Sequence, residues 1–254
     1  MRYYTDPASA VSFANEPALR KLMVEFGADV EITYVMGGLA RTIEDDPSAR
    51  VREWLDISQR SGMPIDPRLW LEGAIHSTYP ACMAVKAAAE QSADGVYLRA
   101  VREGLLCFRR KLDSAEALVG VAREVGLDVE RFRVDLESNA IVESFGADLE
   151  ATRAISDERF ELPRASFGDE EWVFGSAPYE DWRKAALAAG ASAEADPAPS
   201  VPEALARFGR MAAREVAAVC DLPGPKAEAE LWRLAADWRA RPVAVLAGWL
   251  FEPA

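Results

Sequence analysis

The chain has 254 residues, of which 50% are hydrophobic and 28% charged, the composition of a globular protein with a sizeable core. Its formal net charge of −13 disfavours nucleic acid and anionic membranes as partners. The first residues lack a signal-peptide pattern, no apolar run is long enough to span a membrane, and the 3 cysteines form no C-x-x-C motif, so we expect a cytoplasmic protein without a disulfide framework.

The first forty residues have the pattern of a strand, a helix and a second strand. Residues 2–5 are β-favouring, a helical pattern begins near Asn15 or Glu16 and ends at Gly27, and residues 30–36 alternate and are rich in β-branched side chains. Because a βαβ unit crosses over between parallel strands, this order predicts a parallel strand pair.

A long helical region follows, and a ββα unit closes it. The predicted helices cover residues 50–62, 70–74, 79–91, 94–108, 114–126, 129–139 and 140–155. Two short strands at 164–167 and 171–174, joined by a turn at Gly168 and Asp169, precede a helix over 178–189. The order βαβ, helices, ββα is that of an α/β thioredoxin-like fold with an all-helical insertion.

The last fifty residues form a further unit beyond a linker of small residues and prolines at 189–202. Three helical patterns and a terminal β-compatible stretch resemble a small winged-helix-like extension. Its seven basic residues are balanced by seven acidic ones between 201 and 254, so we do not expect it to bind nucleic acid. The predicted domains are a thioredoxin-like domain in two parts, 1–46 and 157–190, a helical insertion over 47–156, and the C-terminal module over 203–254.

Five separated segments carry a family resemblance. They are YYTDP at 3–7, FANEPALR at 13–20, ITYVMGGL at 32–39, STYPAC at 77–82 and GSAPYE at 175–180. In this order they resemble the DsbA-like thioredoxin-fold oxidoreductases of the FrnE-like group, over roughly residues 1–190. The resemblance implies the fold named above and a thiol–disulfide oxidoreductase ancestry.

The resemblance also implies a site, and at that site the sequence departs from the family. The family's C-x-x-C falls on Ser9-Ala10-Val11-Ser12. A serine hydroxyl is too weak an acid to ionise at a helix N-terminus and forms no mixed disulfide, so we expect no disulfide exchange. The family's cis-proline, which lies opposite the nucleophile and beside the substrate, falls on Pro163.

Three functions remain open at this point. The first is a non-redox binding or adaptor protein that takes a protein or peptide client in the groove beside Pro163, without a cofactor. The second is a transferase or isomerase in which Ser9 holds glutathione or another small thiol, as the resemblance of the loop to kappa-class glutathione transferases and 2-hydroxychromene-2-carboxylate isomerases implies. The third is a structural homodimer. Its contact would use the C-terminal aromatic residues Trp232, Trp238, Trp249 and Phe251.

Overall fold

A computed structural model describes residues 1–155, 161–168, 170–193 and 197–254. Its larger sheet has four strands: β1 (Arg2–Thr5), β2 (Thr33–Met36), β3 (Arg164–Phe167) and β4 (Glu171–Phe174). The strand order is β2-β1-β3-β4; β1 and β2 are parallel, and β3 is antiparallel to both of its neighbours. The predicted βαβ and ββ units are therefore confirmed, and with them the thioredoxin-like fold.

Two helices connect β1 to β2 where the sequence predicted one. They are α1 (Ala10–Ala14) and α2 (Glu16–Glu25). The helical region begins five residues earlier than predicted because the Ser9 side chain caps it, accepting a hydrogen bond from the Ser12 amide. Leu22 and Phe26 pack against Tyr3 in the core on this face of the sheet.

The described residues between β2 and β3 form seven helices, as predicted. They are α3 (Pro47–Ser61), α4 (Leu69–Glu72), α5 (Tyr79–Ala89), α6 (Asp94–Leu106), α7 (Ala115–Glu124), α8 (Val129–Leu136) and α9 (Asn139–Ala154). Trp54, Trp70 and Tyr97 lie in their shared core, which extends to Phe13 of α1. The predicted insertion boundary at residue 156 falls outside the described residues, as does Asp169 of the predicted turn. After β4, α10 (Tyr179–Ala188) packs on the sheet.

The C-terminal module has the element order of a winged helix. It contains α11 (Val201–Phe208), β5 (Met211–Ala212), α12 (Ala213–Val219), α13 (Gly224–Ala236), β6 (Ala240–Val245) and β7 (Gly248–Pro253). The strands form an antiparallel sheet in the order β5-β7-β6. The terminal β-compatible stretch of the sequence is therefore a hairpin, and its turn lies at Leu246 and Ala247, before Gly248.

The module packs tightly against the rest of the chain. Ala212 and Leu250 belong to the core of the helical insertion, and Val24 of α2 packs against the module's own core. Of the four aromatic residues assigned to a dimer contact, Phe251 is buried inside the module, whereas Trp238 is 88% exposed. The homodimer stays a prediction.

A buried ion-pair network joins the module to the two other parts. Glu215, in the first turn of α12, has a fully buried carboxylate. Arg99 of α6 donates to both of its oxygens, at 2.9 and 3.0 Å. Arg20 of α2 lies 3.2 Å from the same carboxylate, which also accepts the Ala212 amide at 2.7 Å. Glu215 of the module is thus paired with arginines from both other parts of the molecule, in a place where a charge without a partner would be costly.

The network continues on both sides of Glu215. Glu16 of α2 accepts a 2.5 Å bond from Arg102 of α6. Arg210, just before β5, donates to Glu103 of α6 at 2.7 Å and to Glu252 of β7 at 2.5 Å. Because the charges come from distant parts of the sequence, the network fixes the position of the module on the fold.

Within the described residues, no helix has the length and hydropathy that crossing a membrane requires.

Candidate functional site at the carboxyl end of the first strand

The loop after β1 is built by Asp6 and Pro7. Asp6 ends the strand and its Oδ1 accepts the Ala8 amide at 2.8 Å, while its backbone carbonyl accepts the Ser9 amide at 3.1 Å. An aspartate followed by proline is a typical start of such a turn, because the side chain replaces a backbone acceptor and the proline ring sets φ. The turn places Ser9 directly at the beginning of α1.

Ser9 and Ser12 lie at the N-terminus of α1, as predicted. Ser9 Oγ accepts the Ser12 amide at 3.1 Å. Ser9 is 5% exposed, and Ser12 is fully buried. Ser12 Oγ has no hydrogen-bond partner among the described residues. Neither hydroxyl is bonded to a histidine, lysine or carboxylate that would act as a base, so the pair is not arranged as an activated nucleophile.

Pro163 lies beside this loop. The Leu162–Pro163 peptide bond is cis, and Pro163 directly precedes β3. Since Tyr4 pairs with Arg164 in the antiparallel register, Pro163 lies next to the end of β1. The Pro163 carbonyl accepts the Gly175 amide at 2.8 Å, and the Gly175 carbonyl accepts Asn15 Nδ2 at 2.7 Å. The structure therefore brings the Ser9 loop and Pro163 together at one end of the two central strands, β1 and β3. The roles assigned to these residues stay predictions.

Sequence analysis missed a buried pair under the loop, Asp6 and Cys82. Asp6 Oδ2 accepts the Leu39 amide at 2.8 Å and lies 3.4 Å from the Cys82 sulfur, which donates to it. Burial raises the pKa of Asp6, although the amide and thiol donors oppose this shift. Burial and the neighbouring carboxylate raise the pKa of the Cys82 thiol well above its ordinary value. The signal that would have revealed Asp6 is an acidic residue directly after a buried strand.

The three cysteines are expected to be unreactive in the folded protein. Cys82, Cys107 and Cys220 are all free and buried. Burial raises the pKa of each thiol, to about 11 for Cys220, so almost none of the reactive thiolate is present at neutral pH. Ellman's reagent should therefore modify none of them within minutes, and all 3 after addition of guanidinium chloride. Rapid reaction of one thiol in buffer would show that the structure around that cysteine opens in solution.

Asp6 is expected to make stability depend on pH. Its pKa in the folded state is raised above the ordinary value of 3.8, so the folded state holds the proton more tightly. This contribution favours the folded state at low pH and is lost as pH rises from about 4 through the raised pKa. Asp6→Asn lacks it, so the stability deficit of the variant relative to the wild type should shrink from pH 4 to pH 7. Urea unfolding across this range measures the deficit, and a deficit that does not change with pH contradicts the prediction.

The described residues contain no cluster of histidine, cysteine or carboxylate side chains that would hold a metal ion. The site consists of a helix N-terminus capped by its own serine, a buried acid–thiol pair and a cis-proline directly before the central strand β3. The two serines support no thiol chemistry.

The comparisons with known proteins agree with this fold. The family model described as Thioredoxin matches residues 3–158. The ClpXP adapter protein SpxH of Halalkalibacterium halodurans is 31% identical over 249 residues, which cover 91% of this chain and 81% of that protein. The chain belongs to the thioredoxin family that includes SpxH. The predicted relationship to DsbA-like thioredoxin-fold proteins is confirmed.

Solved structures of other proteins share the fold of this chain. A protein from Nitrosomonas europaea, described as a protein disulfide isomerase, aligns with a TM-score of 0.61 and 19% identity, covering 74% of this chain and 94% of its own. The cytosolic disulfide reductase DsbM of Pseudomonas aeruginosa aligns with a TM-score of 0.59 and 18% identity, covering 72% and 94% of the two chains. At these identities the likeness concerns the fold alone.

Proposed function

We propose that this protein is a non-redox adapter that binds a protein client and presents it to ClpXP in the cytoplasm. The observation that carries the proposal is the replacement of both redox sulfurs by buried serine hydroxyls on a fold shared with SpxH, whose name describes a ClpXP adapter. An adapter needs surfaces that bind its partners and no reactive sulfur.

The burial of the serine loop argues against the thiol-dependent transferase. A hydroxyl that stabilises a bound thiolate must reach a ligand from solvent. Ser9 is 5% exposed and its oxygen already accepts the amide that begins α1.

The proposal is tested by protein half-lives in cells of the organism that encodes the protein. Pulse labelling and mass spectrometry would compare the wild type, a strain without this gene and a strain without ClpX. We expect the proteins that live longer without this gene to be a subset of those that live longer without ClpX. The proposal is wrong if deletion of the gene lengthens no half-life, or lengthens only half-lives that do not change when ClpX is absent.

A complementing variant separates adapter function from hydroxyl chemistry. Ser12→Ala removes the buried hydroxyl without removing the Ser9 cap. Because an adapter does not use this oxygen in a reaction, the variant should restore the short half-lives as fully as the wild-type gene. Failure of a folded Ser12→Ala protein to complement would point back to a chemical role for the loop.

A further inference from the structure

β4 is an edge strand whose outer side is free. It stands last in the sheet order, and no described residue pairs with its outer side. In an antiparallel pair, residues alternate between those bonded to the partner strand and those that point away from it. Gly175 bonds to Pro163, so Val173 and Glu171 also point to β3. The backbone N–H and C=O groups of Trp172 and Phe174 therefore point outward.

The opposite edge of the same sheet is closed. Asp148 of α9 accepts the amide of Met36 on β2 at 2.8 Å, and α9 and α5 both pack against β2. β4 also carries neither lysine nor proline, the residues that proteins commonly use to blunt an exposed strand. The open edge is thus a specific property of β4 within the described sheet.

An aromatic surface borders this edge on one face of the sheet. Trp172 and Phe174 are stacked, with ring centroids 6.0 Å apart and planes at 13°. Trp172 also contacts Tyr4, and the Arg164 guanidinium lies 5.4 Å from the Phe174 ring centroid. Phe174 is 57% exposed. An apolar side chain on an added strand would find a preformed aromatic contact here.

The other face of the edge is a groove with exposed charges. A cavity of about 320 Å³ runs between β4 and α10. Glu171, Asp181 and Lys184 line it, with Ala185 as a small residue at its floor. Neither Glu171 nor Asp181 forms an ion pair with another described residue. Two carboxylates against one ammonium, in a protein with a net charge of −13, favour a basic side chain.

We propose that the free edge of β4 binds an extended segment of the client protein in which apolar and basic residues alternate. The segment adds a strand to the sheet: its backbone bonds to Trp172 and Phe174, its apolar side chains contact the aromatic surface, and its basic side chains face Glu171 and Asp181. Alternation follows from the pleat, since neighbouring side chains of a strand lie on opposite faces. This inference rests on the proposed adapter function, for which it names the class of client segment.

Peptides test the edge directly on the full-length protein. The probe is a fluorescein-labelled eight-residue peptide of alternating valine and lysine. The controls are the same peptide with glutamate for lysine, and the same peptide N-methylated at every residue, which removes its strand-forming N–H groups. We expect fluorescence anisotropy to show binding of the valine–lysine peptide at least tenfold tighter than that of either control.

Hydrogen exchange locates the bound peptide. Addition of the valine–lysine peptide is expected to slow exchange of the Trp172 and Phe174 amides at least fivefold and to leave the amide of Met36 on the closed edge unchanged. Binding without protection of Trp172 and Phe174 would overturn the proposal, as would the absence of binding.

Variants separate the groove from general attraction to an acidic protein. Glu171→Gln combined with Asp181→Asn should weaken binding of the lysine peptide about tenfold. Glu116→Gln combined with Glu130→Gln makes the same change in net charge on α7 and α8 and should leave binding within twofold. If both pairs of substitutions weaken peptide binding equally, net charge alone explains the effect and the assigned site is wrong.

The peptide and half-life experiments distinguish failure of the strand-addition site from failure of the proposed adapter function. If half-lives depend on the gene and ClpX but the edge binds no peptide, the adapter function stands and its client docks elsewhere. If the edge binds the peptide but no half-life depends on the gene, the strand-addition site stands without the adapter function.

Discussion

Replacement of Glu215 by alanine is expected to lower the free energy of unfolding by about 3–5 kcal/mol, the cost of leaving buried charges without their partner. Glu215 accepts hydrogen bonds from Nη1 and Nη2 of Arg99 and from the Ala212 amide, and lies 3.2 Å from Arg20. The Ala212 amide loses its side-chain acceptor, and Arg99 and Arg20 are left with the carboxylates of Glu16 and Glu103 alone, at a place where the Glu215 carboxylate is fully buried. Urea unfolding followed by circular dichroism measures the change.

Glu230→Ala is the matched control for this prediction. Glu230 pairs with Arg233 on the exposed face of α13, three residues along the same helix. Because water and salt screen such a pair, its loss should shift the urea midpoint only slightly. A Glu215→Ala protein as stable as Glu230→Ala would mean that the network contributes nothing to the folded state.

A chain that ends at Ala193 is expected to lose cooperative folding. Without the C-terminal module, Arg99 and Arg20 lose Glu215, and the core side chains that pack on Ala212 and Leu250 become exposed. Exposed apolar surface of this kind leads to association. Light scattering should therefore show aggregates, and circular dichroism should show a broad thermal transition in place of a sharp one.

The same experiment bears on the domain boundaries predicted from the sequence. A monomeric chain of residues 1–193 with the full-length thermal midpoint would make the module an independent domain at the end of a linker. Full-length protein, measured in parallel, is the reference. Residues 194–196 of the predicted linker lie outside the described structure, and the boundaries of the four predicted segments stay predictions.

Local sequence patterns identified the elements of this protein well. The strands at 164–167 and 171–174 are found at the predicted residues. Trp172, Val173 and Phe174 favour a strand in β4, whereas β3 is buried at all four positions and was indicated mainly by the turn signal that follows it. The start of α1 was missed because five residues give too short a periodic pattern. It was decided by a single cap, the Ser9 side chain.

The sequence by itself determined the class of fold, through local periodicity. It also has serines at 9 and 12 and a proline at 163, the positions at which the family resemblance predicts the site. The tertiary structure alone decided that Glu215 neutralises Arg99 across 116 residues, that Asp6 lies against Cys82, and that β4 is open while β2 is closed. Burial and pairing between distant residues arise from packing, and no local pattern encodes which charge will meet which.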